Sequence, residues 1–163
     1  ETNSSSTHSI CIAKDCEPSI PRSLHFGFGE FGWECDTLYS VNTKASYLYT
    51  GLIANGRKED VEKMISLLVG KGIDVTAEEP IYENRSYMDS DGKLVEYISG
   101  ENIGYVDHSD ELKDFLDGIC SDEGKLLRFL FSDLSFIITG NDNDKSDVSI
   151  KVDYPYDSYF KGN

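Results

Sequence analysis

A chain of 163 residues, 39% hydrophobic and 12% aromatic, is the length of one domain. Folding at that size removes roughly 70% of the unfolded surface from water. Thirty acids against fifteen bases leave a formal charge of −15, a field that repels nucleic acid and anionic lipid and draws cationic surfaces. No run of eighteen apolar residues and no basic-then-apolar leader occurs, so neither membrane nor direct nucleic acid is expected as a partner, and a cytoplasmic location is.

In chain order, residues 1–22 are rich in Ser, Thr and Pro and read as an extended polar segment ahead of a single domain at 23–163. Only 10–13 is apolar there, a candidate short strand. Residues 24–28 read as a strand. Asn42 or Thr43 can then cap a helix with Leu48, Tyr49, Leu52 and Ile53 on its apolar face, broken at Gly56. The clearest helix spans 58–69, with Val61, Met64, Ile65 and Leu68 at i, i+3, i+4, i+7. Its acids sit in the first turn, where they suit the helix dipole.

Residues 73–77 alternate like a half-buried strand. Strands at 81–88 and 93–98 flank Asp89-Ser-Asp-Gly92, which predicts a hairpin. Ser109 opens a helix with Leu112, Phe115, Leu116 and Ile119 inward, and Ser121 opens another with Leu126, Leu127, Phe129 and Leu130. Strands at 134–139 and 148–152, joined through Gly140–Asp144, predict a second hairpin. Tyr154, Tyr156, Tyr159 and Phe160 predict an aromatic tail on the body. The class is α+β, one domain with a mainly antiparallel sheet and two helix pairs.

The unusual stretch is His25-Phe-Gly-Phe-Gly-Glu-Phe-Gly-Trp-Glu-Cys35. Gly27, Gly29 and Gly32 have dinucleotide-loop spacing, but Trp33-Glu-Cys-Asp36 follows where a helix N-terminus must stand. No acid lies between Asp36 and Glu59, and Glu30 would meet the phosphates. Two readings remain: a glycine-kinked core strand, or an exposed aromatic docking patch. On the second, Phe28, Glu30, Phe31 and Trp33 bind a partner, together with the C-terminal acids Asp142, Asp144 and Asp147.

The opening Glu-Thr-Asn-Ser-Ser-Ser-Thr-His-Ser-Ile-Cys-Ile resembles the start of small, uncharacterised phage and mobile-element proteins, as does Phe28-Gly-Glu-Phe-Gly-Trp-Glu. The resemblance implies a phage setting and a cytoplasmic location, and no chemistry.

Among His8, Cys11, Cys16, His25 and Cys35, His8-x2-Cys11 has the spacing of one zinc pair and Cys11-x4-Cys16 is marginal, but the remaining ligands are scattered and form no second pair. Asp89–Gly92 and Asp142–Asp147 depart from calcium loops. No cofactor or metal is expected. Four cysteines permit two disulfides or free thiols. No nucleophile–base motif is present, so no catalytic residue is assigned. These features predict a non-enzymatic acidic binding protein that inhibits a basic, nucleic-acid-handling host defence protein, as an anti-CRISPR does. The alternatives are an immunity protein against a cationic toxin, or a small metal- or thiol-dependent enzyme.

Overall fold

The structure is a computed structural model and describes residues 6–141 and 149–161. Its principal sheet has four strands, all antiparallel, ordered β10–β1–β9–β4. They are β1 (Ser6–Ala13), β4 (Asp36–Leu38), β9 (Phe136–Asn141) and β10 (Tyr156–Lys161). Helices α1 (Val41–Ala54) and α2 (Lys58–Gly70) form one pair, α3 (Lys113–Ser121) and α4 (Glu123–Phe131) the other. The α+β architecture with two helix pairs is as the sequence predicts.

The helices close the core on one face of the sheet. Ile10 and Ile12 of β1 and Ile137 of β9 meet Tyr47, Leu48 and Leu52 of α1, Phe115 and Leu116 of α3, and Phe129 and Leu130 of α4. None of the described helices is long and apolar enough to cross a membrane.

The first correction concerns the N-terminus. β1 is no extended appendage to a domain starting at residue 23. It lies between β9 and β10, and all but one of its eight residues are buried. Residues of both parities in β1 are buried, so it needs no polar alternation, and Ser6 and His8 are buried as hydrogen-bonded groups rather than exposed.

The second concerns the chain's end. The expected strand at 148–152 is not one over 149–152, where the chain is described. β9 already has β1 on one edge and β4 on the other, which leaves no edge for a hairpin partner. The chain instead reaches the far edge of β1, guided by a bond from Lys14 N–H to Pro155 C=O at 2.9 Å. The aromatic tail thus becomes β10, and Tyr159 packs on the core.

Two helix caps move by a residue or more. The Ser40 hydroxyl, not that of Asn42 or Thr43, accepts the Thr43 N–H at 3.1 Å. Asp122, not Ser121, accepts the Lys125 N–H at 3.0 Å. Each gives an orphan helix donor an acceptor.

Smaller sheets surround the body. β2 (Ser23–Phe26) runs parallel to β5 (Asp74–Ala77), and β3 (Glu30–Phe31) parallel to β8 (Tyr105–Val106). β6 (Tyr82–Met88) and β7 (Leu94–Gly100) form the expected hairpin.

Helix α1 pins the body with two buried polar groups. The Lys44 ammonium, fully buried, donates to Ser132 C=O at 2.8 Å and Ser135 C=O at 2.9 Å, tying α1 to the turn between α4 and β9. One turn on, the Tyr47 hydroxyl shares a 2.8 Å hydrogen bond with His8 Nδ1, and His8 Nε2 another of 3.0 Å with the Ser6 hydroxyl. Buried polar groups paired in this way fix the register of helix on sheet.

Candidate functional site

The glycine-aromatic stretch crosses the middle of α1, at Tyr47, Tyr49 and Thr50. β2 carries Phe26 into the core. Past Gly27, Phe28 stacks on Tyr49 with centroids 4.8 Å apart, and its N–H donates to the Glu78 carboxylate at 3.1 Å. Gly29 N–H reaches the Thr50 hydroxyl at 3.2 Å. Its carbonyl accepts the Tyr105 N–H at 2.9 Å, and Phe31 C=O accepts Asp107 N–H at 2.9 Å. The Phe31 ring meets Tyr47 edge-on at 5.5 Å.

Gly104 makes that crossing possible. Its φ is +59°, and a Cβ there would overlap the Gly29 carbonyl; only glycine lets the backbones approach so closely.

Beyond Gly32 the chain turns outward. Trp33 C=O accepts from the Asn141 amide at 3.0 Å, and Glu34 C=O from the Thr139 hydroxyl at 2.7 Å. These bonds hold the backbone to the sheet while the side chains of Trp33, Glu34 and Asp36 face water. Trp33 is 47% exposed.

The candidate patch therefore divides. Phe28 and Phe31 are half-buried against the core, while Glu30 and Trp33 are exposed. Asp142, Asp144 and Asp147 lie outside the described residues.

Glu30, Phe31, Gly32, Trp33, Glu34 and Asp36 line one side of a cleft of about 230 Å³, which Leu38, Tyr105 and Thr139 complete. Among the described residues, none of Glu30, Glu34 and Asp36 has a Lys, Arg or His ion-pair partner. Acids elsewhere do: Asp60 and Asp117 with Arg57, Glu123 with Lys71, Glu101 with Arg85. The cleft offers open carboxylates beside two exposed rings, Trp33 and Tyr105, the latter 47% exposed.

Sequence reasoning missed Tyr105, 75 positions from Glu30 along the chain, because a two-residue parallel bridge has no local periodicity. The glycine of Gly104-Tyr105 was its only mark.

Nucleotide chemistry has no geometry here. Gly27 and Gly29 connect β2 to β3, Gly32 follows β3, and the next helix starts only at Val41. The soft-ligand set is dispersed as well. His8 bonds to Tyr47, His25 Nδ1 shares a 2.7 Å bond with the Thr76 hydroxyl, and Cys16 Sγ lies 3.4 Å from the Ser132 hydroxyl.

Among the described residues no group of three or more His, Cys, Asp or Glu could hold a metal, and none of the four cysteines is joined in a disulfide. Burial pushes the Cys11 thiol up to about 11, against a weaker opposing hydrogen bond from Tyr154, and burial also raises Cys120. Neither is the low-pKa thiolate a nucleophile requires.

A scan against protein-family models and searches of curated proteins and solved structures find no match to this chain.

Proposed function

We propose that this chain is a non-enzymatic, acidic binding protein of phage or mobile-element origin. In the host cytoplasm it docks on a basic, nucleic-acid-handling defence protein and inhibits it, as an anti-CRISPR does. The observation that carries this is the set of three carboxylates, Glu30, Glu34 and Asp36, with no ion-pair partner among the described residues, around exposed Trp33 on a chain of net charge −15.

Closely placed carboxylates occupy a Lys/Arg groove that otherwise holds phosphates, and the field of the whole molecule speeds the encounter. Trp33 and Tyr105 supply the apolar anchors that charge alone lacks, since buried aromatics carry most interface energy.

The test is nuclease inhibition. A purified, guide-loaded CRISPR nuclease of the host is titrated with the wild-type chain and with a triple variant, Glu30→Lys, Glu34→Lys and Asp36→Lys. Inhibition by the wild type should weaken as salt rises and fall at least tenfold in the variant. Inhibition indifferent to both salt and charge reversal counts against the proposal.

A further inference from the structure

The β6–β7 hairpin stands apart from the body. All seven residues of β6 are exposed, and so are Leu94, Glu96, Tyr97 and Ile98 of β7. Its ladder is regular throughout, from Tyr82↔Gly100 to Met88↔Leu94. Both ends are secured. Glu101 N–H bonds to Ile81 C=O at 2.8 Å and Asp89 N–H to Lys93 C=O at 2.9 Å. The Asp89 carboxylate accepts the N–H groups of Asp91 and Lys93, and Gly92 takes φ +75°.

Those end bonds fix which backbone groups are left over. Residues 81 and 89 bond across the hairpin, so 83, 85 and 87 do as well, and the N–H and C=O groups of Tyr82, Asn84, Ser86 and Met88 point outward. No described strand pairs with that edge. No proline, bulge or outward-parity charge guards it, the devices that ordinarily keep strand edges from pairing. The side chains of these four residues share one face with Leu94 and Ile98, and Tyr82, Met88, Leu94 and Ile98 are 53%, 62%, 56% and 70% exposed. Two strands alone are marginal in water; four with an apolar face are not.

We infer that β6 pairs antiparallel with β6 of a second copy of this chain, joining the two hairpins into one four-stranded sheet. A two-fold axis at Arg85 is the register that engages all four outward residues. It sets Tyr82 opposite the second copy's Met88, and Asn84 opposite the second copy's Ser86. Each such pair exchanges both backbone hydrogen bonds. It also brings thioether against ring and amide beside hydroxyl.

Charge fits the same register. β6 holds one acid and one base, Glu83 and Arg85, so this edge is neutral on a chain of −15. Across the axis, Glu83 of each copy lies diagonal to Arg85 of the other. Arg85 faces itself, with its guanidinium already held by Glu101 at 2.9 and 2.8 Å. A seven-residue edge is smaller than a standard interface of roughly 800 Å² per partner, so the dimer is weak and reversible. The acidic cleft is built by other strands and stays free.

Sedimentation equilibrium of the intact chain tests the inference, up to concentrations of roughly 1 mM where small interfaces register. The wild type should show a monomer–dimer equilibrium. Its association constant should rise several-fold between roughly 0.05 and 0.5 M salt, as repulsion between the acidic bodies is screened.

Ser86→Pro removes an outward N–H without touching the β6–β7 ladder, and Met88→Lys places a charge on the exposed edge. Each should lower association at least tenfold, while Glu96→Pro on the β7 edge should leave it unchanged. A wild type monomeric throughout overturns the inference, as does a dimer indifferent to Ser86→Pro and Met88→Lys, or one broken equally by Glu96→Pro.

Discussion

Gly32 lies directly over His8: a β-carbon at Gly32 would stand 2.9 Å from the imidazole, and its backbone holds φ +117°. The point where the glycine-aromatic stretch turns outward is thus the point where it touches the buried polar pair of β1 and α1. The path of Trp33 and Glu34 depends on that contact.

Gly32→Ala should therefore destabilise the fold by about 2 kcal/mol or more, from backbone strain and a clash the buried ring cannot relieve. A urea midpoint lowered at constant m-value is the expected result. An unchanged midpoint would mean the strand can shift off His8.

Tyr47→Phe keeps the ring and removes the hydroxyl bonded to His8 Nδ1 at 2.8 Å. One buried nitrogen loses its partner, at a cost of about 1–3 kcal/mol. Chemical denaturation measures it, and the His8→Ala, Tyr47→Phe double-mutant cycle should return a coupling rather than additivity.

Lys44 makes stability depend on alkaline pH. Burial pushes its ammonium down to about 8 from the usual 10.5, with Asp133 opposing weakly. Between pH 8 and 10.5 the unfolded chain holds a proton the folded chain has released, so stability from this group rises with pH there and is flat outside.

Cys11, raised to about 11, acts in the opposite sense: the folded thiol keeps its proton, and stability is lost as pH rises from 9 to 11. The difference between wild type and Lys44→Met isolates the lysine. That difference should move in favour of the wild type by up to about 3 kcal/mol across the window. A constant difference would show an ordinary lysine.

Trp33 and Phe31 should part company on mutation. Trp33→Ala should change stability by no more than about 0.5 kcal/mol and abolish nuclease inhibition. Phe31→Ala should cost about 2 kcal/mol, because its half-buried ring leaves a gap against Tyr47. Thermal melts and the inhibition assay read the two effects separately. Trp33→Ala with full inhibition would remove Trp33 from the docking surface.

The sequence alone determined whatever local pattern specifies. Helix α2 follows from four apolar residues at helical spacing, and the β6–β7 hairpin from two strands around Asp89-Ser-Asp-Gly92. Acidity and the singular 25–35 stretch were also plain. Which of its aromatics face water was not, because three glycines in six residues break the alternation by which a strand assigns its faces.

Only the tertiary structure decided that β1 is central, that β10 rather than 148–152 closes the sheet, that Lys44 lies inside, and that Tyr105 joins Glu30 and Trp33. Each depends on partners 75 to 153 positions away in the chain. The free energy of such pairings comes from edges left open and polar groups left unsatisfied elsewhere, which no local run of residues encodes.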